Sequence, residues 1–326
     1  MAERPGALRD VLALRTLPEP AGSRRLDLLV RMTATTCNPS DMVTVSGAYM
    51  SRTTYPFVPG FEGVGVVESA GSDVPAARSL VGRRVLPIGG PGCWQQLRSI
   101  DPTWCVPVPD ALDDSTACFS YINPLTAMLM VARYCRGARS VVVTAANSAI
   151  SGHIAELLTE TCGLRPVGLI RGSHSRTVAD PGRWTGLVTI DDPDWKGLVR
   201  RLTPRGRGPD VVLDCIGGTI GEDLVDLLAT KGRLVLYGLL SGVPLPVDCF
   251  DGRRGTSVDF FRLRDIVHSH PRDRLSDLFS PIFAMQQRDL LHTPVSIRTD
   301  LDQFLGMLDD VSSRSDRGKI LIDPRM

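Results

Sequence analysis

SVVVTAANSAISGHIAELLTETCGLRPVGLIRG, residues 140–172, is the stretch on which the fold turns. Its opening, SVVVTAA (140–146), is a mostly apolar, β-branched stretch of strand length. A run without polar alternation belongs to a strand covered on both faces. Residues 148–162 read as a helix opened by a small polar cap. RPVGLIRG (165–172) reads as a second apolar strand. Strand, helix and strand in succession form the unit of a parallel sheet. The pattern continues outward. WKGLVRRLT (195–203) is helical, PDVVLDCIGG (209–218) a strand, GEDLVDLLAT (221–230) a helix and GRLVLYG (232–238) a strand. The fold class this predicts is α/β, with a doubly wound parallel sheet.

The first third has another texture. LDLLVRMTATTCNP (26–39), FVPGFEGVGVVESAGSDV (57–74) and VGRRVLPIGGPGCWQQL (81–97) are short β-rich segments punctuated by glycine and proline. They predict a compact β-barrel-like unit. DDSTACFSYINPLTAMLMVARY (113–134) turns helical, with Pro124 suited to a first helical turn. Residues 273–291 are helical again, and the tail carries an amphipathic helix over 300–312 between strand-like pieces. The predicted division is 1–121 with 290–326 for the barrel-like domain, and 122–289 for the sheet domain.

Length and composition narrow the classes. The chain has 326 residues, room for about two domains. Its 37 basic and 36 acidic residues leave a net charge of +1, so no basic excess points to nucleic acid. No apolar run reaches the ~18 residues of a membrane span. The start, MAERPGALRDV, does not read as a signal peptide. Eight cysteines without a C-x-x-C pair read as buried reduced thiols and predict a cytoplasmic setting.

A dinucleotide pyrophosphate sits on the first βα turn of such a sheet, against free helix amides. Here that turn is TAANSAISGH (144–153), without the usual glycines. Small residues still admit a phosphate, and Asn147 and Ser148 can donate or cap. A plain βα turn would read the same way. Arg171 lies 24 residues past Asn147, where an NAD-specific fold places an acid. Instead Arg171, Ser173 and Arg176 follow the second strand. A guanidinium makes paired bonds to phosphate oxygens, which favours NADPH over NADH. Solvated surface arginines fit the same text.

NPSD (38–41), PGFEGVGVV (59–67), YINPLTA (121–127), DCIGG (214–218) and GRLVLYG (232–238) together resemble the medium-chain dehydrogenase/reductase superfamily, in order along nearly the whole chain. AANSA (145–149) and NPLTA (123–127) are similar to its 2-enoyl thioester reductase branch, which includes the mitochondrial enoyl reductases. The resemblance implies a GroES-like catalytic domain, a Rossmann domain, NADPH as cofactor and a homodimer through nucleotide-domain strands, here 234–237 and 243–249. It places Asn147, Ser148, Ala149 and Ile150 at the pyrophosphate. Tyr237, Gly238 and Leu239 would lie beside the nicotinamide, Phe260 and Phe261 would line the pocket, and Lys319 would contact the cofactor. One residue departs from the pattern: Ser151 stands where the branch has glycine, and is expected to push helix and strand slightly apart.

In zinc-dependent members the ligand positions correspond to Asn38 and Phe61, so Glu62 alone remains and no metal is expected. Without a Lewis acid, reduction of an activated double bond is the chemistry left open. The branch carries a tyrosine shortly after the NPSD-like motif, and Tyr49 matches it, with Tyr55 second. A phenol can donate a proton to Cα or stabilise charge on the thioester oxygen after hydride reaches Cβ. Asn123 and Thr126, at the start of the helix after YINP, are further catalytic candidates; capping explains them equally. Arg253, Arg254, Arg262 and Arg264 offer a basic surface to a phosphate-bearing carrier, coenzyme A or an acyl carrier protein; a polar rim loop reads the same way. The expected activity is NADPH-dependent reduction of 2-enoyl thioesters. The alternatives are an NADPH:quinone oxidoreductase of the same fold, which needs no acid at residue 49, and a non-catalytic binding protein on this scaffold.

Overall fold

The computed structural model describes residues 1–20, 27–172, 178–308 and 318–325. Along the chain the strands are β1 (Leu28–Thr36), β2 (Gly63–Ala70), β3 (Arg84–Pro87), β4 (Leu97–Ile100), β5 (Cys105–Pro107), β6 (Val141–Val143), β7 (Val167–Ile170), β8 (Gly186–Thr189), β9 (Val211–Asp214), β10 (Arg233–Leu236), β11 (Ser257–Phe260), β12 (Val295–Asp300) and β13 (Lys319–Asp323). The chain forms two compact units, Met1–Leu125 with Ser269–Met326, and Thr126–His268.

The first unit holds the sheet β12-β13-β1-β2-β3-β5, with β4 also on β1. β1 is its axis. It pairs antiparallel with β2, with β4 through Leu28–Arg31 and with β13 at Thr35 and Thr36. Leu28, Val30 and Met32 alternate into a core with Val67, Val85 and Ile100, the period-2 pattern of a strand with one buried face. Trp94 and Phe304 pack edge-to-face at 5.0 Å in a neighbouring cluster.

The second unit is a six-stranded parallel sheet in the order β11-β10-β9-β6-β7-β8. This is the doubly wound arrangement the apolar runs predict. Val142, Val167, Leu169, Val212 and Leu234 bury against Trp195, Val199 and Leu224 of the covering helices. Each such side chain contributes roughly 1.5–3 kcal/mol on burial. Two strands of this sheet are absent from the sequence pattern, β8 and β11, and they are its two edges.

The division differs from the expected one at both boundaries. The helix Leu275–Gln286 falls in the first unit. Tyr121 packs against its Phe279, ring centroids 5.8 Å apart and tilted by 42°. Ser120 Oγ donates to Gln286 Oε1 at 2.8 Å, and Arg272, just before it, lies 3.3 Å from the Trp104 ring centroid. These long-range contacts leave no local trace in the text, so helical periodicity alone groups 269–289 with the nucleotide domain. The expected interface strands also change. Leu234–Leu236 lies inside the sheet between β9 and β11, and 243–249 contains no strand.

Candidate functional site

The turn after β6 sits where the strand order reverses, β6 being flanked by β7 and β9. Ligands of open α/β sheets bind outside the carboxyl ends of strands at such a point. Ser148 is the N-cap of the helix Ala149–Cys162, with extended backbone, and its Oγ accepts from Ser151 N at 3.4 Å. Ala145 takes φ +49°, a left-handed turn that glycine usually supplies. The amides of Ala149 and Ile150 have no acceptor among the described residues. Two orphan donors at the positive end of a helix dipole form an anion seat.

Ser151 does not force helix and strand apart. It is fully buried. Its Oγ donates to Thr144 O at 3.0 Å and accepts from Ser148 Oγ at 2.9 Å. The hydroxyl thus bridges the strand end and the helix cap, which corrects the steric expectation. Gly152 has open space where a Cβ would be.

The neighbouring strand ends are tied to this turn. Thr144 Oγ1 donates to Asp214 Oδ1 at 2.9 Å and accepts from Cys215 N at 3.0 Å. Asp214 Oδ1 and Oδ2 also accept from Ile216 N and Gly217 N. Burial raises the Asp214 pKa, against the pull of these donors. Gly238 approaches closely: a Cβ there would lie 3.0 Å from Cys215 Cβ and 3.1 Å from its carbonyl oxygen. The Tyr237 hydroxyl is buried against Cys215 and Ser151 with no partner at hydrogen-bond geometry, and burial pushes its pKa up. Leu239 is exposed. Phe261 is buried with its ring 6.5 Å from Tyr134, whereas Phe260 faces outward, stacked on Phe250 at 5.8 Å. Arg171 is exposed at the end of β7, beside Gly172, whose amide donates to Asp191 Oδ2 at 2.6 Å. Ser173 and Arg176 lie outside the described residues.

In the first unit the NPSD motif opens the helix Pro39–Val45. Asp41 Oδ2 accepts from Asn38 N at 2.7 Å, the N3 half of a capping box, and Oδ1 accepts from Phe61 N at 2.9 Å. The Asn38 side chain faces elsewhere: Nδ2 donates to Glu62 Oε2 at 2.8 Å, and Oδ1 accepts from Lys319 Nζ at 2.7 Å. Glu62 Oε1 accepts from Tyr121 N and Ile122 N at 3.0 and 2.7 Å, capping the helix Ile122–Tyr134 that carries Asn123 and Thr126. From sequence, Glu62 is a leftover of the metal motif and Lys319 a cofactor contact. Spacing holds no signal for their union, since Lys319 and Asn38 are 281 residues apart. Burial lowers the Lys319 pKa, with Glu62, Cys37 and Asp41 opposing.

Burial pushes the Asp41 carboxyl up to about 7, against its two amide donors. From about pH 4, where an unfolded aspartate ionises, to about 7, the folded chain holds a proton the unfolded chain has lost. Stability therefore falls as pH rises through this window. Thermal melts at pH 5 and 8 should show the loss in the wild type, and Asp41→Asn should reduce it, the buried Asp214 and Glu62 carboxyls, also raised, keeping the remainder. An equal slope in both proteins would remove Asp41 as the cause.

Tyr49 is 46% exposed at the start of the 3-10 turn Met50–Arg52, and its hydroxyl has no hydrogen bond among the described residues. Tyr55 differs. Its hydroxyl is committed to the carbonyl oxygens of Thr44 and Val45 at 3.0 and 3.1 Å. Arg253 pairs with Asp251 at 3.6 Å, and Arg254 Nη2 donates to Asp226 O at 2.9 Å.

Comparison with known proteins agrees with this architecture. The alcohol dehydrogenase GroES-like domain model matches residues 24–110, and the zinc-binding dehydrogenase model residues 189–322. The mitochondrial enoyl-acyl-carrier-protein reductase of Homo sapiens is 26% identical over 313 residues, 92% of this chain and 81% of that one. A Bacillus thuringiensis structure assigned as an NADPH:quinone reductase superposes with TM-score 0.86 at 29% identity, covering 99% of this chain and 97% of that one. Escherichia coli quinone oxidoreductase, complexed with NADPH, shares the fold at TM-score 0.85 and 20% identity over 99% and 98%. The chain is an oxidoreductase with a GroES-like domain and a Rossmann-type parallel sheet, the architecture of the medium-chain dehydrogenase/reductase superfamily. Within it, the similarity runs to the enoyl reductases and quinone reductases named above.

The second model's name raises zinc, and the residues do not fit it. Asn38 and Phe61 are not metal donors of the required kind, and the Lys319 ammonium already sits on Asn38 Oδ1. Among the described residues no three His, Cys, Asp or Glu are grouped to hold a metal. No helix is long and apolar enough to cross a membrane among the described residues.

Proposed function

We propose that this chain is an NADPH-dependent reductase of activated carbon–carbon double bonds, with 2-enoyl thioesters as the substrate class. The observation that carries the reading is the pair of unfilled amides, Ala149 and Ile150, at the switch point of the parallel sheet. They suit a pyrophosphate, with Asn147 and Ser148 beside them. In this reading Arg171, with Ser173 and Arg176, meets the 2′-phosphate, and Tyr237, Gly238 and Leu239 border the nicotinamide. NADPH, when bound, supplies the hydride. Tyr49 then donates to the substrate as charge builds on the thioester oxygen, and its uncommitted hydroxyl suits that role. Asn123 and Thr126 orient the acyl group. The first unit is thus the catalytic domain and the second the NADPH domain. The thioester is carried by coenzyme A or an acyl carrier protein. Eight free cysteines, seven of them buried, support a cytoplasmic setting.

The test is a fluorescence titration with NADPH and NADH, followed by NADPH consumption on crotonyl-thioesters, enones and quinones. Saturable binding with at least about tenfold preference for NADPH, and turnover of crotonyl-thioester, is the expected result. Turnover confined to quinones would favour the second reading, which the similarity to the Bacillus thuringiensis protein supports. No binding of either nucleotide would leave a non-catalytic scaffold.

A homodimer is part of the proposal, through a different strand from those the resemblance implies. β11 is a sheet edge and carries the outward Phe260, 58% exposed. Leu240, Val243, Val247 and Phe250 of the same unit are exposed as well. Exposed apolar side chains gathered at a sheet edge favour pairing with a second copy. Phe260→Arg combined with Val247→Lys should convert a dimer to a monomer in light scattering; an unchanged mass would place the interface elsewhere.

A further inference from the structure

We propose that Lys319 is a positioning residue which, through the Asn38 amide, fixes the polarity of Glu62 and thereby the start of the helix Ile122–Tyr134. The inference rests on the reading above, in which Asn123 and Thr126 act from that helix.

Three bonds in series carry it. Lys319 Nζ donates to Asn38 Oδ1 at 2.7 Å. Asn38 Nδ2 donates to Glu62 Oε2 at 2.8 Å. Glu62 Oε1 accepts from the amides of Tyr121 and Ile122. An ammonium has donors only, so the Asn38 side chain has one allowed orientation: oxygen to Lys319 and NH2 to Glu62. The NH2 in turn requires an acceptor at residue 62, and the two helix amides require a second. A carboxylate alone offers acceptors on both oxygens. Asn38, Asp41 and Glu62 are buried, with Lys319 half-buried beside them. A mismatch here leaves a buried polar group unpaired, which costs more than the bond itself contributes. Among the described residues the other titratable groups acting on this cluster are Asp41, committed to the Asn38 and Phe61 amides, and the buried thiols of Cys37, Cys93 and Cys118.

This polarity sets the sign of the coupling in a double-mutant cycle. Glu62→Gln alone confronts Asn38 with an incompatible partner. If the new oxygen serves the helix amides, the new NH2 meets the Asn38 NH2. Lys319→Met alone leaves the Glu62 charge without its cation. In the double variant Asn38 is free to flip. Its oxygen then accepts from the introduced side-chain NH2, while the introduced amide oxygen keeps the helix amides. The double variant should therefore be closer to the wild type than either single one.

The readout is hydrogen exchange at the Tyr121 and Ile122 amides on the whole protein, with NADPH affinity and kcat alongside. Each single variant should raise exchange there by about tenfold or more, and the double should return to within about threefold of wild type. Lys319→Arg keeps the charge and should exchange nearly as the wild type. Additive effects, or unchanged exchange in both singles, would overturn the proposal. So would a Lys319→Met effect on NADPH affinity alone, equal with and without Glu62→Gln, which would make Lys319 a cofactor contact. If a single variant fails to fold, a double variant that folds and keeps these amides protected supports the coupling, and one that also fails overturns it. Exchange needs no bound nucleotide, so absence of turnover would count against the functional reading and leave this result to stand separately.

Discussion

Tyr49→Phe lowers kcat for 2-enoyl thioester reduction by roughly 100-fold or more, with NADPH affinity unchanged: that is the expected result of removing the proposed proton donor. The substitution is clean because no described residue uses the hydroxyl. Tyr49 is half exposed, and its phenol has no hydrogen bond among the described residues. Removing it leaves no buried orphan, so the melting temperature should stay within about a degree, as for an exposed site. Tyr55→Phe is the control. It breaks the bonds from the phenol to Thr44 O and Val45 O, at a cost of about 1 kcal/mol of stability, and should keep most of the activity. Full enoyl reduction by Tyr49→Phe would remove the tyrosine from the chemistry. Quinone turnover by that variant, with enoyl reduction lost, would fit a reductase serving both substrates with one acid-dependent step.

The largest effect on folding is expected at Gly208. Its φ is +86°, and a Cβ built there would lie 1.9 Å from the backbone oxygen of Leu227. Neither side can give way. Leu227 ends the helix Gly218–Leu227, and Gly208 leads into β9, with its amide bonded to Thr203 Oγ1 at 3.0 Å. Gly208→Ala thus combines a left-handed backbone with a clash against main chain. A destabilisation of more than ~4 kcal/mol follows, in the range of such compound faults. The second unit should lose its cooperative melt and its nucleotide binding together. Gly152→Ala is the comparison, since open space surrounds that position and it lies in a helix; there the change should stabilise by about 0.5–1 kcal/mol. A Gly208→Ala protein that melts like the wild type would mean that the helix end shifts freely.

Which elements are legible follows from burial. β6, β7, β9 and β10 stand out as apolar runs because neighbours cover both faces; β7 and β9 are buried at every position. β8 and β11 escape notice because edge strands bury less: only Val188 of β8 is buried, and no residue of β11 is. Their text, GLVT and SVDF, carries no strong period. The turn after β6 is legible through its cap, since Ser148 and the small residues around it act within one helical turn. Ser151 misleads because its size is visible in the text while its hydrogen-bond partners are not.

By itself the sequence determined what local periodicity and capping control: a parallel sheet with alternating helices, a β-rich first unit, and a helix start capped by a small polar residue. The tertiary structure alone decided which distant groups meet. It joined Lys319 to Asn38 and Glu62, drew Leu275–Gln286 into the first unit, and set Gly208 against Leu227. Periodicity is enforced by neighbours a few residues away and is written in the chain. Long-range polar pairing and backbone contact are enforced only when remote segments exclude water from one another, and no spacing along the chain encodes that encounter.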